Sequence, residues 1–311
     1  MSLRTIAKAV LRPVPQWAPV GIIPPQGAIS VSLLWNGKAA DVTENHTIAS
    51  LKPVTVAIGL DGTTHDLASG TLEFVDTTTR KPIGSLQISR VAGRNTGGAQ
   101  IGFFRIVEAD HCCLPWPQRP WNAVLQARAI RKYKKPHNFH MPPAAVQQLM
   151  IFYICPRPVV LVSVSEGRHS NLFPMDLIGP LANGYFTLAL RNTSVSVPAM
   201  VKAPRLAISG MPAEHKDVVY KLGEHHKKQF VDWDKLPLPV ILTEKLKLPA
   251  IGSALWIREL SVEASEVIGS HTFFTCRVVS ERQLSSGLQL HHTAGFHQEF
   301  RRRRGKPFAP A

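Results

Sequence analysis

Cysteine is scarce in this chain, with four in 311 residues, and Cys112, Cys113, Cys155 and Cys276 contain no C-x-x-C pair. That spacing excludes an obvious zinc ligand set or disulfide framework and fits reduced thiols in a reducing, cytoplasmic compartment. No apolar run reaches the length that crosses a bilayer. The opening MSLRTIAKAVLRPVPQW is broken by Pro13 and Pro15 before the apolar core of a signal peptide develops, so no membrane association is expected. Acidic residues are also few, 21 against 36 lysines and arginines, for a formal charge of +15. The excess gathers at 128–135 and in the four arginines of 301–304. Such blocks read as solvated faces or tails, with a nucleic-acid partner as the sharper alternative. The aromatic residues that stack bases are missing around Arg301, so nucleic-acid binding is not expected. Phosphate-binding G-x-x-x-x-G-K-[ST] and dinucleotide-binding G-x-G-x-x-G motifs are absent, as are paired carboxylates and a recognisable Ser-His-Asp set. Thirteen histidines raise the question of metal. His225-His226 sits beside Lys227-Lys228, and His291-His292 has no carboxylates nearby in a ligand rhythm, so both pairs read as structural or surface groups.

What the chain does have is apolar content, 44%, enough for a packed core in one large domain or two ordinary ones. From residue 28 the first half reads as β-structure: AISVSLLW, a turn at Asn36-Gly37, PVTVAIGL, a turn at Asp61-Gly62, then GTLEFV, GSLQIS and IGFFRIVE. Asn-Gly and Asp-Gly between apolar runs are hairpin signals, and five or more short strands with such turns predict an antiparallel barrel or sandwich. PWPQRP at 115–120 ends that pattern, 121–132 has helical composition, and 144–152 predicts a short helix after a proline-bounded linker.

The most informative stretch runs from 156 to 209. A β-branched run at 159–164 predicts a strand buried on both faces, closed by the turn Glu166-Gly167-Arg168. A second strand is predicted at 185–190, and Arg191, Asn192, Thr193 and Ser194 follow it at the start of a short helix containing Pro198. Such a place can cap a helix or seat a phosphate, because helix starts offer unpaired N–H groups and the positive end of the dipole. Residues 213–222 have apolar side chains at helical spacing, with Gly223 placed for a left-handed helix end. Strands are predicted at 254–262 and 271–279.

Pro156-Arg157-Pro158 before the first strand, Asn171-Leu172-Phe173-Pro174 after its turn, Arg191-Asn192-Thr193 after the next, and Gly269-Ser270-His271 before Thr272-Phe273-Phe274 together resemble the flavin reductase-like family with the FMN-binding split β-barrel. A weak internal repeat accompanies this. Pro25, Val31 and Ser32 fall against Pro156, Val162 and Ser163, Ile48 and Leu51 against Ile178 and Leu181, and Thr55 and Ala57 against Thr187 and Ala189. The expected fold is therefore mainly β with a few helices: a split barrel at 144–290, preceded by a second barrel-like domain at 21–115 that reads as a degenerate copy. An N-terminal extension (1–20), a helical connector (116–143) and a basic C-terminal arm (291–311) complete the division. One chain would then imitate a two-subunit arrangement, as an intramolecular pseudo-dimer or within a homodimer.

The resemblance implies FMN as cofactor and NAD(P)H as a transient electron donor, with hydride transfer to the flavin and an electron-acceptor protein or small molecule downstream. It implies that Arg191, Asn192, Thr193 and Ser194 hold the phosphate. Ser170, Asn171, Leu172 and Phe173 would pass along the ring and ribityl chain through backbone groups, and His271 would lie at the reacting face. Asp176 would repel a phosphate unless turned away or paired with Arg191. Two other readings stay open, a flavoprotein of this fold acting on a specific small substrate and a non-catalytic binding or scaffold protein.

Overall fold

A computed structural model of the chain describes residues 14–23, 28–61, 64, 66–96, 99–132, 140–167, 169–181 and 184–311. It opens with β1 (Trp17–Ile22), β2 (Ile29–Trp35), β3 (Lys38–Asp41), β4 (His46–Leu51), β5 (Val54–Leu60), β6 (Ser69–Asp76), β7 (Lys81–Thr96) and β8 (Ala99–His111). Helices α1 (Gln118–Lys132) and α2 (Pro143–Phe152) lead into β9 (Arg157–Pro158), β10 (Val160–Glu166), β11 (His169–Met175), β12 (Ile178–Leu181) and β13 (Tyr185–Arg191). Then come α3 (Val197–Lys202), β14 (Arg205–Gly210), α4 (Lys216–Lys221), β15 (Val240–Leu242), β16 (Pro249–Ile251), β17 (Trp256–Ile268) and β18 (His271–Gln283). The chain closes with β19 (Gln289–Ala294), α5 (Gly295–Arg303) and β20 (Ala309–Pro310). Strands take 51% of the described residues and helices 21%, which makes the fold mainly β.

Two seven-stranded antiparallel sheets share one strand order. Across the first it is β3-β2-β6-β7-β8-β5-β4, and across the second β11-β10-β14-β17-β18-β13-β12, so each strand has a counterpart in the same place. The registers agree as well: Ala57 opposes Phe103 in the first sheet, and Ala189 opposes Phe273 in the second. The faint sequence repeat is thus a repeat of topology.

Each sheet curls around its own core. In the second, Val162 of β10, Phe173 of β11, Ile178 of β12, Leu188 of β13, Ile208 of β14, Leu260 of β17 and Phe274 of β18 belong to one buried cluster. The edge strands β11 and β12 both feed that cluster without pairing with each other, which is a barrel with a split. Along β13, Phe186, Leu188 and Leu190 face inward, while Tyr185 and Ala189 face the other half. Both faces are dry, so the strand reads as a continuous apolar run.

The halves meet where Ala49, Ala57, Ile101 and Phe103 pack on Leu181, Tyr185, Ala189 and Phe273. The equivalent rings Phe103 and Phe273 touch edge to face at 5.2 Å. Buried Arg157 adds a polar staple, donating to the His46 carbonyl at 3.1 Å and lying 4.3 Å over the Phe152 ring.

Several expectations change. Residues 291–311 are built into the molecule: β19 pairs with β1 and β9, β20 pairs with β1, and Phe296 and Phe300 of α5 enter the core of the first half. Arg301, Arg302 and Arg303 form the last turn of α5 and Arg304 caps it, a favourable place for positive charge. Arg301 and Arg304 lie over Phe308 and Phe300, and Arg302 and Arg303 pair with Glu299. Gly223 does not end a helix in the left-handed region; α4 passes directly into a 3-10 turn, Leu222–Lys227. The Asn36-Gly37 hairpin has positive φ at both residues, 45° and 74°, whereas Gly62 and Arg168 lie outside the described residues.

Candidate functional site

Pairing of β13 with β18 sets Arg191 directly opposite His271. Leu190 turns into the barrel core, so by strand alternation Arg191 lies on the side facing the first half. It is exposed, whereas His271 is only 1% exposed. The end of β4 covers the histidine. Leu51 N–H donates to His271 Nδ1 at 3.4 Å, and the Ser270 hydroxyl lies 2.9 Å from the same nitrogen. Ser270 N–H in turn donates to the Lys52 carbonyl at 3.0 Å and to Ser50 Oγ at 3.1 Å. A backbone N–H can only donate, so Nδ1 is the acceptor and the ring proton sits on Nε2. Burial, with the Arg191 charge as a second cause, lowers the His271 pKa to about 4. The imidazole is therefore neutral at physiological pH.

After Arg191 the chain turns through 192–196 before α3, so the four predicted phosphate residues precede the helix by several positions. Asn192 is committed to the protein: its amide donates to the Gly269 carbonyl at 3.0 Å and accepts from the Thr272 hydroxyl at 3.1 Å. Thr193 is exposed and Ser194 half-buried. Among the described residues, the N–H groups of Thr193 and Val195 have no acceptor. The turn thus offers a guanidinium, two N–H groups and two hydroxyls, a donor set that fits a phosphate.

Ser170, Asn171 and Leu172 of β11 are engaged by residues 225–233. Ser170 N–H donates to the Gln229 carbonyl, its carbonyl accepts from Val231, and its hydroxyl accepts from Trp233 Nε1. Buried Asn171 donates to Ser196 Oγ at 3.2 Å and to the carbonyls of His225 and Lys228 at 3.0 and 2.7 Å, and accepts from Leu172 N–H at 2.8 Å. The Leu172 carbonyl faces the His225 ring, and Phe173 is fully buried under the His226 ring at 4.9 Å. This stretch leaves a flavin ring no unpaired edge at 170–172. Its work is to position the turn, because Asn171 joins β11 to Ser196 just beyond it.

Asp176 is turned away from that turn. Its carboxylate accepts from His292 Nδ1 at 2.7 Å and from the Tyr153 hydroxyl, and Tyr220 reaches the other His292 nitrogen at 2.8 Å. Burial alone would raise the Asp176 pKa, but these partners hold it below the usual carboxylate range. His292, read from sequence as lacking a carboxylate, finds one 116 residues away.

The repeat supplies an internal comparison. Gly59 opposes Ile101 in the first sheet as Arg191 opposes His271 in the second. β5 ends at Leu60, and just after it the Asp61 carboxylate accepts the Thr64 N–H and hydroxyl at 3.1 and 3.0 Å. Among the described residues, one corner is cationic and the other is apolar and acidic. Ser50, Leu51 and Lys52, which complete the cationic corner, carry no signal in sequence, since 220 residues separate Leu51 from His271.

No family model matches the chain, and no curated protein does. Solved structures resemble it over about half its length, and they are FMN-binding proteins and flavin reductases. One is an FMN-binding protein from Thermus thermophilus, 24% identical, covering 44% of this chain and 81% of its own with a TM-score of 0.39. Another is an NADH:FAD oxidoreductase from Streptomyces globisporus, 18% identical, covering 52% and 95% with a TM-score of 0.44. A third is the styrene monooxygenase flavin reductase from Pseudomonas putida, 16% identical, covering 45% and 88% with a TM-score of 0.37.

Proposed function

We propose that the chain binds one flavin mononucleotide, with its phosphate on the turn after β13, and reduces it with NAD(P)H for an acceptor downstream. The observation that carries this reading is a set of anion donors, exposed Arg191 and Thr193 with half-buried Ser194 and the N–H groups of Thr193 and Val195, lying beside a buried neutral histidine in one of two equivalent corners, and not found among the described residues of the other. A bound flavin would supply the hydride-accepting chemistry. Arg191, Thr193 and Ser194 bind the anion; Asn171 and Asn192 hold the turn in place. His271 keeps its proton on Nε2 and shapes the floor beside Arg191. The first half contributes Ser50, Leu51 and Lys52 as a wall.

A second reading has its own support. The engagement of Ser170, Asn171 and Leu172 by residues 225–233 and Ser196 favours a binding or scaffold protein of this fold that takes an anionic partner at the same turn. Flavin absorbance of the purified protein, or uptake of added FMN, separates the two. On the flavin reading FMN binds one per chain, and Arg191→Ala with Thr193→Ala weakens it at least ~10-fold, the worth of one charge-assisted hydrogen bond. Unchanged affinity would remove the phosphate from this turn. NAD(P)H oxidation that depends on flavin then supports reductase activity.

A further inference from the structure

Helices α1 and α2, the end of β8 and the start of α5 line a cavity of about 370 Å³, remote in sequence from the corner described above. Its room follows from the sequence. Ala123, Ala127 and Ile130 recur at helical spacing on α1, and Val146 and Met150 answer them from α2. His111 and Phe296 form an aromatic wall, stacked at 4.0 Å with their planes 3° apart. His111 is 8% exposed, its Nδ1 is enclosed without a partner, and among the described residues its ring makes no hydrogen bond. A buried imidazole without a polar partner is uncommon in a folded protein and points to something that supplies one.

The charges nearby compensate each other. Arg119 gives its Nε–H to the Leu114 carbonyl at 2.9 Å and has Asp110 at 3.9 Å from Nη1, so the lining favours no net charge in an occupant. Burial, then Arg119, lowers the His111 pKa to about 4, so the ring meets an occupant uncharged. The size falls within the range of small-molecule sites, and the lining joins apolar side chains to a few polar ones, Gln16, Asn122, Gln126 and Gln147 beside His111, a mixture typical of them.

We propose that this cavity binds a small neutral aromatic alcohol or phenol, its ring between α1 and α2 and its hydroxyl on His111. A flat ring extends the His111–Phe296 stack, and a hydroxyl can either give or take a hydrogen bond, so it suits whichever tautomer the imidazole adopts. This site does not depend on the flavin reading, because no residue is shared with the corner of Arg191 and His271.

The test is titration of the full chain with 2-naphthol, followed by its fluorescence, beside naphthalene as the probe without a hydroxyl. Saturable binding of one 2-naphthol per chain, about 10-fold tighter than naphthalene, is expected for one hydrogen bond to a buried group. His111→Phe keeps the stack and should reduce 2-naphthol to the naphthalene level, while Ala127→Trp fills the cavity and should abolish binding of both. Absence of saturable 2-naphthol binding, which would leave the space to water, overturns the proposal. So does equal affinity for the two probes, a comparison that needs no variant, and so does binding that survives Ala127→Trp in a folded protein.

Discussion

Gly269 offers a direct way to ask whether the first half supports the cationic corner. It lies between β17 and β18 at φ +54°, and a Cβ placed there would fall 2.5 Å from the Lys52 carbonyl oxygen and 2.7 Å from Ser50 Oγ. Gly167, between β10 and β11, has φ +56° and nothing within 4 Å of its would-be Cβ. Alanine at either position carries the left-handed backbone penalty, ~1–2 kcal/mol. Only Gly269→Ala must also push the β4 end away from Ser270 and His271. That displacement weakens the Ser270 to Lys52 and Leu51 to His271 hydrogen bonds, each worth ~0.5–1.5 kcal/mol. Gly269→Ala should therefore cost ~2–5 kcal/mol and Gly167→Ala ~1–2 kcal/mol. Urea unfolding reads the difference as a shift in midpoint at unchanged slope. FMN affinity should fall with Gly269→Ala and hold with Gly167→Ala. Equal costs for the two variants, with FMN affinity untouched by both, would refute the claim that β4 buttresses the site.

Two further perturbations probe the ionisable groups. Buried Glu259 accepts the Lys245 and Leu246 N–H groups and the Ser280 hydroxyl; burial alone would raise its pKa, but these donors hold it below the usual glutamate value. Its folded pKa is depressed, so its stabilisation is complete above the unfolded value and is lost as pH falls through the folded one. Glu259→Gln should cost ~1–3 kcal/mol at neutral pH and flatten the acid limb of stability, measured by urea unfolding across that limb; an unaltered limb would contradict it. His271→Ala should slow flavin reduction by NAD(P)H more than it weakens FMN. Because the ring stays neutral down to about pH 4, the wild-type rate should show no inflection near the ordinary histidine pKa; an inflection there that His271→Ala removes would refute the neutral assignment.

Strands with dry faces were legible in the sequence. The β-branched run of β10 and the apolar run of β13 identify themselves, because period and composition agree. The edge strands β11 and β12 did not, since His169, Ser170, Asn171 and Pro174 in one and Gly179-Pro180 in the other look like loop chemistry. At the site, Arg191 and His271 could be singled out, and strand pairing brings them face to face. The use of Asn171 and Asn192 was not legible. An asparagine after a strand looks the same whether its amide meets a ligand or, as here, the carbonyls of His225, Lys228 and Gly269. Such partners are fixed by tertiary contacts tens of residues away, which a local pattern does not encode.

On the proposed reading, the difference between the paired corners gives the first half a distinct part. At the position of Arg191 it has Gly59, at that of His271 it has Ile101, and Asp61 brings negative charge. The missing guanidinium removes an attraction for an anion, and the added carboxylate brings a repulsion. Packing between the halves nonetheless keeps its symmetry, with Phe103 on Phe273 and Ala57 in the place of Ala189. In a homodimer every surface would have to both bind and buttress, because both subunits share one sequence. If the turn after β13 receives an anion, as proposed, holding both copies in one chain lifts that constraint: the β4 end can be shaped only to cover His271, and the turn only to receive the anion. On the proposed reading the first half therefore contributes shape to the site while the second contributes its charge.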